Sequence, residues 1–196
     1  MIKILPKISY IIITYNSQET IERCIAGIVN DSYPKKEIII LDNNSQDETI
    51  KIVDNIKKVD KLIKLNKNIG FGKGCNKAVK ASSGEFLFFV NPDVFFISRN
   101  TTTELINMIN KNESIGAISP VSLVTMHNGR TVYVYGIKIK KASYLGFIKF
   151  FKKLTGRYHK IDALIGGHFL ISKKLFNKLD GFDEQYFLFH EDIDLS

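Results

Sequence analysis

The chain has 196 residues, 44% hydrophobic and 24% charged, which is enough for one sizeable domain with a well-buried core. No run reaches the roughly 18 to 20 apolar residues that cross a bilayer, and "MIKILPK" passes into a strand-like run without a small-residue cleavage site, so a cytoplasmic protein is expected. A formal charge of +8 and a pI near 9.3 favour an anionic partner, whether nucleotide diphosphate, nucleic acid or membrane surface, without choosing among them.

Four β-branched or aromatic runs come first: "ISYIIIT" at 8–14, "KEIIILD" at 36–42, "KLIKL" at 61–65 and "EFLFFV" at 85–90. Helical patterns separate them. Near-continuous apolar strands alternating with helices predict an α/β fold with a mostly parallel sheet covered on both faces. Ser17 is expected to cap a helix carrying Ile21, Cys24, Ile25 and Ile28, and Ser45 with Glu48 to form a capping box before Ile50, Val53 and Ile56. The third helix is expected after the glycines at 70, 72 and 74. Cys24 and Cys75 both fall on helices beside apolar positions, so they read as core thiols.

The second half is less regular. A helix is expected near 102–111, strand-like pieces near 115–124 and 131–139, then "IDALIGGHFLIS" and a helix from Lys173, elements that cover the same rim as the first half. No internal repeat or linker divides the chain.

Ligands of open α/β sheets bind outside the carboxyl ends of the strands, and the polar residues cluster there. Thr14, Tyr15 and Asn16 follow the first strand, Asp42, Asn43 and Asn44 the second, Asn66 and Asn68 the third, Asn91 and Asp93 the fourth. Asp42 suits acceptance of hydrogen bonds from a base or ribose, and equally suits a turn before a helix. "NIGFGKGCN" at 68–76 lets backbone N–H groups approach phosphate, but it fits neither the dinucleotide nor the Walker spacing.

In "FLFFVNPDVFF" a carboxylate follows a buried strand, so Asp93 needs a charged partner or water. Oxygen donors at such a place suit Mg²⁺ or Mn²⁺, with an Asx-turn as the structural alternative. "FHEDIDLS" brings Glu191, Asp192 and Asp194 together after an aromatic run, where like charges beside apolar walls raise a carboxyl pKa toward that of a general base. An exposed acidic helix start is the alternative. His168, after Gly166 and Gly167, is a candidate for lining a substrate pocket and equally for a structural role, and no spacing supports a zinc site.

Taken in order, "IIITYNSQETIERCI", "IIILDNNSQDET", "NKNIGFGKGCNKAV", "GEFLFFVNPDV", "IGGHFLISKKLFNKLDGFDEQYF" and "HEDIDLS" resemble the family 2 glycosyltransferases over residues 8–196. The resemblance implies a GT-A fold, an inverting reaction, a nucleotide-diphospho-sugar donor (UDP-, dTDP- or GDP-sugar), Mn²⁺ or Mg²⁺, and a saccharide or lipid-linked acceptor in bacterial surface polysaccharide synthesis. "NIGFGKGCN" and "HEDIDL" are most similar to the rhamnosyltransferase-like branch.

Carried over by residue, the resemblance implies that Thr14, Tyr15 and Asn16 hold the nucleoside and that Asp42 and Asn44 read base or ribose. Asn68, Gly70, Asn76 and Asn91 line the donor side, Gly166, Gly167 and His168 the acceptor side, and Asp93 binds the metal. Asp192 matches the base, with Glu191 as the fallback. Residues 1–97 would form the nucleotide-binding half of a single domain and 98–196 the acceptor-side half.

Two departures stand out. Asn91 replaces the first acid of the family's "DxD" element, leaving Asp93 as its one carboxylate. Relatives continue beyond the base, whereas this chain stops at Ser196, so a truncated protein lacking C-terminal helices is expected, and a non-catalytic fragment that binds nucleotide-sugar or a partner protein is the alternative function.

Residues 138–154, "KIKKASYLGFIKFFKKL", read two ways: an ordinary helix with its aromatic side on the sheet, or an amphipathic segment at the inner face of the cell membrane. No RNA-binding motif accompanies the charge, so nucleic acid is not an expected partner.

Overall fold

The computed structural model describes residues 5–112, 114–125, 131–134, 161, 163–164 and 167–195. Within them a six-stranded mixed sheet runs in the order β3-β2-β1-β4-β8-β5, and a separate antiparallel pair joins β6 (Ser122–Thr125) to β7 (Thr131–Val134).

The parallel part is β1 (Ile8–Thr14), β2 (Lys36–Asp42), β3 (Lys61–Lys64) and β4 (Phe86–Val90), as the apolar runs predict. Each central strand is buried on both faces because alternate side chains feed two separate cores. Ile8, Tyr10 and Ile12 of β1, Ile38 and Ile40 of β2, and Phe88 and Val90 of β4 face one way. They pack against α1 (Ile21–Asn30), α2 (Thr49–Asp54) and α4 (Thr101–Lys111). Ile11, Ile13, Ile39, Leu41, Leu87 and Phe89 face the other way, toward α3 (Phe71–Lys80) and α5 (Lys173–Lys178).

Helix α1 buries Ile21, Cys24, Ile25 and Ile28, a single stripe at helical spacing. Helix α3 uses small residues instead. A Cβ on Gly74 would stand 3.3 Å from Ile13 Cγ2 and 3.4 Å from Leu41 Cδ2, so the absent side chain lets the helix lie close on the sheet. Both cysteines are buried and free.

The expected helix starts are corrected in detail. Helix α3 begins at Phe71, with Gly72 and Gly74 inside it rather than before it. Ser17 serves α1 through its carbonyl, which accepts the N–H groups of Thr20 and Ile21, and not through its hydroxyl. The capping box does not form, because Ser45 turns back to donate to Asp42 Oδ1 at 2.5 Å. Asp47 does the capping instead: its Oδ1 accepts the Thr49 N–H at 3.0 Å, while Glu48 pairs with Lys51.

The second half extends the same sheet. Strand β8 (His168–Ser172) lies antiparallel on β4, with Val90 opposite His168 and Phe86 opposite Ser172, and β5 (Ala117–Ile118) closes that edge. Helix α6 (Glu191–Leu195) is the last element. Gly166 and the 138–154 stretch lie outside the described residues, and no described helix is long and apolar enough to cross a membrane.

The chain order reverses between β1 and β4, and the crevice beyond their carboxyl ends is the place such sheets offer to ligands.

Candidate active site

The β1 and β2 ends are in register, Thr14 opposite Asp42, and both are buried. Asp42 is 1% exposed and its oxygens are engaged from within: Oδ2 accepts the Ser45 N–H at 2.9 Å, and Oδ1 accepts both the Ser45 and Thr14 hydroxyls. Thr14 and Asp42 therefore build the floor of the crevice, and the residues left open above them are Tyr15, which is 50% exposed, with Asn16 and Asn44. Asn16 and Asn44 hold the left-handed φ values of 50° and 69° that asparagine tolerates better than most residues. Asn16 Oδ1 also accepts the Gln46 N–H, tying the first loop to the second.

Asn43, assigned no role from the sequence, is the link to the third loop. Its buried amide donates to the Gly70 carbonyl at 3.1 Å and accepts the Ile69 N–H at 3.3 Å. Asn68 closes the same turn by accepting the Gly70 N–H. Gly70 is not open to a ligand as expected. It is buried under the 187 segment with φ 89°, and a Cβ there would stand 2.5 Å from the Phe187 carbonyl oxygen. Only glycine combines that φ with that approach.

Asn76 is the clearest correction. Its side chain bonds the chain leading to the acidic motif, accepting the Phe182 N–H at 3.0 Å and donating to the Phe182 carbonyl at 2.8 Å, with a weaker bond to Glu184. The amide that was expected to face a donor is spent on protein backbone.

At the end of β4 the sequence Asn91-Pro92-Asp93-Val94 closes a turn through Val94 N–H and the Asn91 carbonyl. The Asn91 carbonyl also takes the Cys24 thiol, at 3.5 Å, so it is not a free donor to a cation. The Asp93 side chain is exposed and makes no hydrogen bond or ion pair among the described residues. The turn is thus closed by the backbone alone and not by an Asx side chain, while the Asp93 carboxylate itself reaches water.

The acidic motif approaches from the other side. Glu191 and Asp192 open α6 and, with Asn91, supply polar groups to a cavity of about 240 Å³ whose other walls include Phe71, Leu188, Phe189 and Ile193. Glu191 is 5% exposed, packs beside Gly72 of α3, and leaves Oε2 without a hydrogen-bond partner. Burial, reinforced by the Asp192 charge, raises its pKa above the ordinary carboxylate value. Asp192 is half-buried, and its Oδ1 accepts the Ile193 N–H at 2.8 Å. Phe189 and His190, just before it, hold φ values of 68° and 73°, and strain at such positions is concentrated at functional sites.

His168 does not line this cavity. Its Nε2 faces the Pro120 carbonyl at 3.2 Å and the Ser122 hydroxyl at 2.7 Å, Nδ1 is buried without a partner, and burial lowers its pKa. Gly167 meets Asn91 directly, its carbonyl accepting the Asn91 N–H at 2.6 Å.

The described residues contain no group of three His, Cys, Asp or Glu side chains poised to hold a metal. The chemistry of Asp93 nevertheless fits Mg²⁺ or Mn²⁺, because these ions commonly take one or two protein carboxylates and fill the remaining positions with phosphate oxygens and water. An exposed, unpaired carboxylate at the mouth of the crevice meets that requirement.

The sequence profile described as "Glycosyl transferase family 2" matches residues 9–180. The poly-beta-1,6-N-acetyl-D-glucosamine synthase of Staphylococcus epidermidis is 28% identical over 159 residues, covering 80% of this chain and 38% of that protein. A GalNAc(5)-diNAcBac-PP-undecaprenol beta-1,3-glucosyltransferase of Campylobacter jejuni is 38% identical over 103 residues, covering 50% of this chain and 33% of that one. Among solved structures, S. aureus TarS 1–349 in complex with UDP superposes with a TM-score of 0.68 at 25% identity, over 96% of this chain and 53% of that one. The Pyrobaculum calidifontis mannosyltransferase PcManGT, in complex with GDP-Man and Mn²⁺, has a TM-score of 0.70 at 18% identity over 98% and 51%, a likeness of fold. The chain spans between about a third and about half of these relatives' lengths. A match across most of its length, on the GT-A architecture described above, establishes that the chain belongs to glycosyl transferase family 2.

Proposed function

We propose that the chain carries the donor site and the base of an inverting, metal-dependent glycosyltransferase that acts in bacterial surface polysaccharide synthesis. The observation that carries this reading is one cavity in which Asn91, from the β4 end, meets Glu191 and Asp192 of α6, with the exposed Asp93 two residues from Asn91. The ligands bound in related structures, UDP and UDP-GlcNAc in TarS and GDP-Man in PcManGT, support a nucleotide-diphospho-sugar as donor.

In this reading Tyr15, Asn16 and Asn44 receive the nucleoside over the floor made by Thr14 and Asp42. Asp93 would hold Mn²⁺ or Mg²⁺, which would neutralise charge on the departing diphosphate. Asp192 takes the proton of the acceptor hydroxyl as that oxygen attacks C1 from the face opposite the diphosphate. The new C1–O bond forms as the bond to the diphosphate breaks, which inverts the anomeric centre. Phe71, Leu188 and Phe189 give the pocket apolar walls beside Glu191 and Asp192. Glu191 is the fallback base. The similarity of "NIGFGKGCN" and "HEDIDL" to rhamnosyltransferase-like sequences makes dTDP-rhamnose the first donor to try beside UDP- and GDP-sugars.

A thermal-shift panel of UDP, dTDP and GDP, with and without Mn²⁺, tests the reading, followed by donor turnover with the nucleotide that binds. One nucleotide should raise the melting temperature only with the metal, and its sugar should be consumed. The absence of a shift with all three nucleotides sinks the reading, and a shift without turnover favours a binding-only protein.

A further inference from the structure

Helix α3 holds the segment before the catalytic acids at two points. The first is the paired hydrogen bonds between the Asn76 amide and both backbone polar groups of Phe182. The second is the Phe71 N–H, which donates to the Phe187 carbonyl at 2.9 Å, with Gly70 beneath it. Between them lies a turn in which Asp183 accepts the Gln185 N–H and Glu184 pairs with Lys73 of α3 at 3.6 Å.

The first anchor is built with unusual care. Phe182 is 2% exposed and stacks among Phe71, Phe89, Phe169 and Phe176, so its backbone is fixed from the side-chain end. Gly181 holds φ 77°, and a Cβ there would stand 2.5 Å from Asn76 Oδ1. Residues 184–190 beyond it are exposed, and nothing of comparable burial restrains them before Glu191. A segment with so few buried contacts is oriented by its end points.

We propose that Asn76 is a positioning residue for the reaction: by clamping Phe182 to α3 it fixes the path of residues 183–190, and so sets where Glu191 and Asp192 stand relative to the end of β4. This deepens the glycosyltransferase reading and rests on it for the identity of the reaction. A planar amide is needed because Phe182 presents one donor and one acceptor, and Asn offers the matching pair on one group. A misplacement of about 1 Å is enough to cost a reaction roughly a hundredfold when geometry supplies much of the rate.

The test compares wild type with Asn76→Asp and with Gly181→Ala, by hydrogen exchange and by kinetics. Asn76→Asp keeps an acceptor for the Phe182 N–H but sets a second acceptor against its carbonyl. Gly181→Ala attacks the same clamp from the other partner. Amide exchange over 183–193 should accelerate at least roughly tenfold while the strands keep their protection. Turnover should fall at least roughly tenfold in kcat, with KM for the donor and the affinity for UDP with Mn²⁺ within about threefold of wild type.

Unchanged exchange in 183–193, or a loss of protection spread over the whole sheet, overturns the proposal. So does a kcat that survives the disrupted clamp, or one that falls only in step with the folded fraction. Should one variant fail to fold, the other carries the same comparison. If wild type neither binds nucleotide nor turns over sugar, it is the glycosyltransferase reading that fails, and the exchange measurements still decide whether Asn76 restrains the segment.

Discussion

The two ends of the same sheet leave their carboxylates in different states. At the amino end, Glu37 of β2 is 4% exposed and saturated: Ser9 Oγ and Ser83 N–H donate to Oε1 at 2.5 and 2.6 Å, and Lys7 Nζ and Ser83 Oγ to Oε2 at 2.9 Å each. These donors outweigh the cost of burial and hold the carboxyl at about 2. At the carboxyl end Asp93 has no hydrogen-bond or ion-pair partner among the described residues, Glu191 Oε2 is buried and unpaired, and Asn16, Asn44, Phe189 and His190 hold positive φ. The amino rim spends Glu37 on stability, whereas the carboxyl rim, beside the internally bonded Asp42 and Asn43, leaves Asp93 and Glu191 Oε2 available.

Substitutions at the two rims should therefore separate activity from stability. The largest effect is expected from Asp192→Asn, which should lower transfer by a factor on the order of 10³ while the melting temperature stays near wild type, as steady-state rates and calorimetry would reveal. A rate close to wild type would pass the role of base to Glu191.

Next in size is Glu37→Gln, expected to cost roughly 3 kcal/mol in urea unfolding at pH 7 and to leave nucleotide affinity alone. Because the folded pKa of Glu37 is depressed, its stabilisation is complete above the ordinary value of 4.5 and is lost as pH falls through about 2. The wild-type stability should therefore decline over that window, and the decline should flatten in the glutamine variant.

Asp93→Ala should abolish the metal-dependent stabilisation by nucleotide, which at a hundredfold excess over Kd amounts to about 2.7 kcal/mol in a binding protein. The apo protein should unfold like wild type, since no described hydrogen bond or ion pair is removed. A shift that survives the substitution would place the metal elsewhere.

The smallest effect is expected from Gly70→Ala, which meets both an unfavourable φ and the Phe187 carbonyl, and should cost about 1 to 2 kcal/mol with loosening centred on 187–190. Exchange measurements would locate it.

How much of this was legible beforehand depends on the range of the interaction concerned. Strands β1 to β4 and the stripe of α1 follow from periodicity, because apolar burial repeats within a few residues of itself. For Asp93 the sequence leaves a charged partner or water, since a carboxylate past a buried strand has to reach one of them, and in the structure it reaches water. The helix cap expected at Ser45 and Glu48 does not form, because the Ser45 hydroxyl donates to Asp42 and accepts the Asn16 N–H instead of accepting a helix N–H. The roles of Asn43 and Asn76 were not legible at all. Each amide bonds backbone that is 26 or 106 residues away, and no local pattern encodes such a partner.

The sequence alone thus determined the class of the fold, the sidedness of its strands and the rim to which its polar residues are delivered. These depend on hydrophobic periodicity and on the direction of a parallel strand. Only the tertiary structure decided which polar groups remain for chemistry, since that depends on what each one meets across the chain. Asp42 and Asn76 met protein, whereas Asp93 met solvent and Glu191 was left with an unpartnered oxygen.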